Sequence, residues 1–220
     1  MADIVIYLKI KETEAQIRKL IMDGVKDVFN NVLRTSAYPI QRRIREYFKE
    51  RLMNSDAFKS LDGGKLHAEF GIPKESVSGR LNNIADEWLR QIIVDYTPIH
   101  GLGQQWTGGI KINMLETDWQ KVISMSDAYV ETRGGWGMWW LEWLLTYGDR
   151  FIVKEYRVKM INSSRSRSGL ALMVKDTTSR WRVPPEFSGT TNNNFITKLL
   201  DTMPDDIDNI IEEELTKRLI

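Results

Sequence analysis

Cysteine is absent from this 220-residue sequence. That excludes disulfide scaffolds, thiolate metal sites and cysteine nucleophiles, and it leaves the redox compartment open. Histidine is scarce: only His67 and His100 occur, so no three-histidine metal centre can form within one chain. An excess of one charge is also lacking, because 31 Lys+Arg face 30 Asp+Glu for a net charge of +1. Coating of nucleic acid by bulk charge is therefore excluded, although a local basic patch is not. No apolar run reaches the ~18–20 residues that span a bilayer, so no membrane partner is expected. The opening Met1-Ala2-Asp3 lacks the basic flank and apolar core of a secretion signal. Tryptophan, by contrast, is plentiful, with eight in the chain and four of them between positions 136 and 143. An apolar fraction of 42% and a charged fraction of 28% suit one large domain, or a compact domain with an arm.

Ile4, Ile6, Leu8 and Ile10 alternate with Val5, Tyr7 and Lys9, which predicts a short opening strand. From Glu12 the period changes: Ile17, Leu20, Ile21, Val25, Val28, Phe29 and Val32 share one side of a helix running to about Leu33. Gly24 inside it costs about 1 kcal/mol relative to Ala, which points to a bend or a close contact there. Thr35 to Pro39 breaks the pattern, and Pro39 fits the first turn of a second helix reaching about Met53. Ile40, Ile44, Tyr47, Phe48 and Leu52 face inward on it, so a helical hairpin is expected. A glycine-punctuated stretch follows, with one turn of helix at Lys65 to Phe70, and then a third helix from Ser76 to Leu89. Strands are expected at Ile92 to Val94, ended by Pro98, and at Ile110 to Met114, with a short helix around Trp119 to Ile123.

Trp136, Trp139, Trp140 and Trp143 stand at i, i+3, i+4 and i+7, the spacing of one helix face. Leu141, Leu144 and Leu145 widen that apolar surface, and Gly148 is placed to close the helix in a left-handed conformation. Three readings stand side by side: core packing of one domain, burial at a subunit interface that includes Leu144, or a surface on which sugars or nucleobases stack. At least two of the four indoles are expected to be nearly inaccessible in an assembled particle.

Further on, a strand is expected from Arg150 to Met160, then a polar basic loop from Asn162 to Gly169 and a strand from Leu170 to Val174. Asp176 to Ser179 interrupts it before a short piece, Arg180 to Val183. From Arg150 to Arg182 there are nine Lys/Arg and two acids. Arg165, Arg167, Lys175, Arg180 and Arg182 could face a phosphate backbone, pair with an acidic partner surface, or stand in solvent on a hairpin tip. An amphipathic segment begins near Asn194. The last helix opens at Pro204, with Asp205 and Asp206 in its first turn and Lys217 and Arg218 in its last, as the helix dipole favours. Its buried stripe is Ile207, Ile210, Ile211, Leu215 and Leu219. The fold class is thus α+β. A helical N-terminal region occupies residues 1–90. Residues 91–220 form a small, mainly antiparallel sheet flanked by the Trp-rich helix and the long C-terminal helix.

Signatures of catalysis are thin. The chain has no His-Glu-x-x-His, no Walker loop and no Gly-x-Ser-x-Gly elbow, and Trp106 stands where a dinucleotide fingerprint starting at Gly101 would need its third glycine. Asp205, Asp206, Asp208, Glu212, Glu213 and Glu214 read as a solvated, dipole-matching face rather than a cation site. His67 and His100 read as surface residues. No catalytic residue, metal ligand or cofactor is expected.

One ordered set of residues resembles a known family. Trp140-Leu-Glu-Trp-Leu-Leu-x-x-Gly-Asp149 is followed by Ser-Arg-Ser-Gly169, by Trp181-x-Val-Pro-Pro-x-Phe-x-Gly-Thr190 and by Asn194-Phe-Ile-Thr197. Together with Leu61-x-Gly-Gly-Lys-Leu-x-x-Glu-Phe-Gly71, this is similar to head–tail joining and tail-completion (minor tail, neck) proteins of tailed bacteriophages. The resemblance covers roughly residues 60–220. It implies a virion protein that forms a ring, commonly of six copies, closing the tail and letting DNA pass. Its partners would be copies of itself and adjacent neck, portal or tail proteins, with passive contact to phage DNA. A tail terminator, a baseplate component, or a DNA-binding module built on the basic residues 150–182 are the alternatives.

Overall fold

One helix, α1, runs unbroken from Glu14 to Asn54 in the computed structural model, which describes residues 11–101, 105–114, 119–131 and 135–219. The opening strand expected at Ile4 to Ile10 lies outside the described residues. Thr13 and Gln16 form a reciprocal capping box at the start of α1. Pro39 sits inside the helix, so the expected helical hairpin does not form. Proline removes one N–H and crowds the carbonyl four residues back. Thr35, at that position, turns its hydroxyl onto the Asn31 carbonyl at 2.8 Å. On the C-terminal side of the proline, Ile40, Ile44, Phe48 and Leu52 are fully buried. That packing outweighs the local penalty and carries the helix through.

The first half of α1 is different. None of its residues before Val32 is buried, although the expected apolar stripe is present. Leu20, Ile21 and Val28 are 66%, 59% and 56% exposed, and Val25 and Phe29 are exposed beside them. This half is held on its polar side instead. Lys26 donates to the Gly101 carbonyl at 3.0 Å. Asn30 and the Ile99 backbone exchange two hydrogen bonds, at 2.6 and 3.3 Å. Val28 lies two residues from both, about 200° round the helix, and so faces the other way.

Three short helices follow: α2 (Asp56–Gly63), α3 (Lys65–Phe70) and α4 (Val77–Gln91). α3 is the helical turn expected between the glycines. His67 on it is not a surface residue: it is buried, with neither ring nitrogen hydrogen-bonded. Instead of one sheet, the described residues form three two-stranded antiparallel ribbons. The first pairs β1 (Ile93–His100) with β2 (Thr107–Asn113), and Pro98 falls in an irregularity between Thr97 and His100 rather than ending the strand. The expected short helix is α5 (Gln120–Ile123). The second ribbon pairs β3 (Tyr129–Glu131) with β4 (Gly137–Trp139), and α6 (Trp140–Leu145) follows directly. The third, β5 (Phe151–Met160) with β6 (Ala171–Arg182), breaks register where Asp176 to Ser179 stands opposite Glu155. The Asp176 carboxylate there accepts from the Thr178 amide and hydroxyl and the Ser179 hydroxyl. Helices α7 (Phe195–Asp201) and α8 (Pro204–Leu219) close the described chain, with Asn194 capping α7. Among the described residues a buried cluster runs from Ile40 and Phe48 through Trp88, Trp140, Val183 and Ile196 to Ile210.

α8 docks on α1 through charge as well as apolar contact. Ile210 is buried, Ile207, Ile211 and Leu215 pack at the edge of the core, and Leu219 is exposed. Glu214 is not part of a solvated face. It is 7% exposed and is paired with Arg43 at 3.1 Å, Lys217 at 2.9 Å and Arg218 at 2.8 Å. The bonds from Lys217, Arg218 and Arg43 hold its carboxyl at about 2, well below the ordinary 4.5. A lowered carboxylate pKa stabilises the fold above the unfolded value and loses that contribution as pH falls through the folded one. Unfolding free energy should therefore decline between about pH 5 and pH 2, by of order 1–2 kcal/mol after screening of the exposed partners. Glu214→Gln should flatten that part of the denaturation-versus-pH profile. An unchanged slope in the variant would remove Glu214 as its source.

Candidate functional site

The tryptophan-rich stretch does not form the helix its spacing predicts. Trp136 precedes β4, Trp139 ends it, and only Trp140 and Trp143 lie on the six-residue α6. Gly135 and Gly137 would both weaken a first helical turn, whereas tryptophan suits a pleated strand. The decisive partner is Tyr129, directly opposite Trp139 on β3 with ring centroids 4.9 Å apart. Its hydroxyl lies over Gly137, so a side chain at that position would have to displace the Tyr129 ring. Gly148 does take the left-handed conformation, with φ 63°, but beyond the helix end, and its N–H donates to Gly189 at 2.7 Å.

The four indoles therefore separate. Trp140 is fully buried against Phe70, at 6.1 Å between ring centroids, and its N–H donates to the Asp127 carbonyl. Leu144 is fully buried as well. Neither offers surface to a partner. Trp136 is 79% exposed, Trp139 is 38% exposed and Trp143 is half-buried against Tyr147.

These three line one side of an open groove of about 1040 Å³. The opposite side is the β5–β6 ribbon, with Ile152, Val153, Tyr156 and Val158 turned inward. Phe70 and Trp181, both buried and 6.0 Å apart edge to face, lie at its base. Arg165 and Arg167 also line it. The Arg167 guanidinium packs over Gly71, within 2.9 Å of where a Cβ would sit.

Two carboxylates complete the polar rim, Glu69 and Glu142. Burial pushes the Glu69 carboxyl up, while the Trp181 N–H at 3.5 Å and the Lys65 ammonium pull it back. Glu142 accepts from the Tyr147 hydroxyl at 2.8 Å, a bond that raises the phenol's pKa, with burial adding to it. Two acids and two bases make the groove formally neutral. Such a surface offers aromatic faces and a few directional polar groups, and it has no net attraction for a polyanion.

The structure thus joins Trp136, Trp139 and Trp143 with Arg165 and Arg167, and leaves the other basic candidates elsewhere. Arg180 and Arg182 stand over Phe151, at 5.2 and 5.8 Å, and Arg182 also pairs with Asp149 at 3.3 Å. Lys175 is exposed, opposite Tyr156 in the ribbon. Glu69, Tyr147 and Tyr156 carried no local signal of belonging to a site. Trp181 stood in the sequence as a strand residue and as part of the resemblance, not as a site residue. Among the described residues, no group of three or more His, Asp or Glu is placed to hold a metal ion.

The indoles should behave as two classes. Trp140→Ala empties a filled core and should cost about 3–5 kcal/mol in denaturant unfolding. Trp136→Ala should stay within about 0.5 kcal/mol while removing much of the acrylamide-quenchable fluorescence. Equal losses from the two variants would contradict the division.

Comparison of this chain with family models, with curated proteins and with solved structures gives no match.

Proposed function

We propose that this chain is a structural subunit of the neck or tail of a tailed bacteriophage. Copies associate into a ring at the head–tail junction that completes the tail and leaves a passage for DNA. The family reading rests on the resemblance carried by residues 60–220, and the copy number of six comes from that resemblance alone. The assembly reading rests on one observation: two apolar surfaces stay uncovered, the stripe from Leu20 to Phe29 and the aromatic groove. Contiguous apolar surface of this kind marks an interaction site. Two-stranded ribbons add to the argument, since among the described residues each strand pairs on one edge only, and a free edge is a template for another chain. A tail terminator or baseplate subunit would use the same surfaces. The DNA-binding alternative is weakened at two of the nine cations of residues 150–182, Arg157 and Arg182, which pair with Asp176 and Asp149, each at 3.3 Å.

Purified protein should sediment as an oligomer in analytical ultracentrifugation and appear as closed rings with a central channel in negative stain. Binding to duplex DNA should be weak at low salt. A monomer at every concentration, with no rings on the grid, would overturn the assembly reading. Tight, steeply salt-dependent duplex binding would favour the nucleic-acid module instead.

A further inference from the structure

We propose that the aromatic groove receives the first half of α1 from a second copy of this chain. The inference rests on the assembly reading and names the two surfaces that mate. Each subunit is a donor through its helix and an acceptor through its groove.

The donor has the pattern of a helix that lies in a groove. Ile21, Val25 and Val28 stand at i, i+4 and i+7, all exposed, with Leu20 and Phe29 at the margins of the stripe. Gly24 sits at i+3 in the middle of it, and an added Cβ would meet nothing within 4 Å. The bare backbone there gives room for a bulky ring, and Trp136, Trp139 and Tyr156 are exposed rings of the groove.

Charge does not oppose the contact. The donor segment from Glu14 to Phe29 carries Glu14, Asp23 and Asp27 against Arg18, Lys19 and Lys26, and the groove carries Glu69 and Glu142 against Arg165 and Arg167. Both segments are formally neutral, so the contact carries no net charge repulsion.

The fold sends the helix to a neighbour rather than to its own groove. α1 packs chiefly on β1, β2, α2, α4, α7 and α8, whereas the groove is built from α3, β4, α6, β5 and β6. The Lys26 and Asn30 bonds fix the donor half on the β1–β2 ribbon with its stripe turned outward. Unlike surfaces on one chain make a head-to-tail contact, and such contacts generate rings when the rotation closes.

The absence of native cysteine makes the contact trappable. Val28→Cys and Met138→Cys, each at a position outside the fully buried core, are prepared as separate proteins, mixed and oxidised. The expected product is a covalent heterodimer, with little homodimer from either protein alone. Both substitutions in one chain should give a ladder of covalent oligomers that ends at the copy number of the ring. Absence of the heterodimer overturns the proposal. So does a dominant Val28–Val28 homodimer, which would mean that the helices pair with each other, or a cross-link within one chain. Rings that form in solution without the heterodimer would sink this pairing and leave the assembly reading standing.

Discussion

α1 is one helix in two environments, and the contrast governs most of what surrounds it. From Ile40 onward its apolar face supplies the centre of the core. From Glu14 to Asn31, about 27 Å of helix at 1.5 Å per residue, nothing is buried. An isolated helix of that length is marginal in water, because its nucleus is costly and exposed turns gain little. Continuity with the packed half removes the nucleation step, the Thr13–Gln16 box satisfies the first amides, and the β1–β2 ribbon braces the polar side. The uncovered stripe is therefore displayed at a fixed angle rather than on a loose tail.

The groove is held with similar rigidity. Phe70, Trp140 and Trp181 are buried and in ring contact beneath it, so its base is part of the core. Above them, Tyr129 lies over Gly137 and meets the Trp139 ring at a tilt of 55°, which sets the direction of that indole. Tryptophan and tyrosine lose little rotamer freedom on contact, having two side-chain torsions each. A surface already shaped and already stiff loses little entropy when covered, and binding energy is conserved accordingly.

Much of this was legible in the sequence, and the failures share a cause. α3, α4, α5, α7 and α8 follow from apolar period, caps and punctuation, all of which act within a few residues. Pro39 was misleading because its local signal is genuine, yet the burial of Ile40, Ile44 and Phe48 overrides it. The tryptophan spacing fits a helix face, but the partner that makes a strand of Gly137 to Trp139 is Tyr129, on a separate strand earlier in the chain. Glu214 looked like one more acid on a solvated face because Arg43, which encloses it, lies on the first helix of the chain. The groove draws on several separate segments. Its tryptophans and Arg165 and Arg167 could be singled out as unusual, but nothing local indicated that they meet, or that Glu69 joins them.

The same distinction between count and placement bears on how the chain would treat DNA. Nine cations against two acids from Arg150 to Arg182 describe a strongly basic strip. In the fold, Asp149 from just outside that strip meets Arg182, Asp176 within it meets Arg157, and Phe151 lies under Arg180 and Arg182. Arg165 and Arg167 open onto a groove that contains two carboxylates. Affinity for a duplex grows with the number of phosphates neutralised per copy, and the two ion pairs lower that number by two of nine while Lys154, Lys159, Lys175 and Arg180 stay exposed. Formal charge counted along the chain is therefore reduced in the fold at two positions, and the groove beside Arg165 and Arg167 is neutral rather than basic.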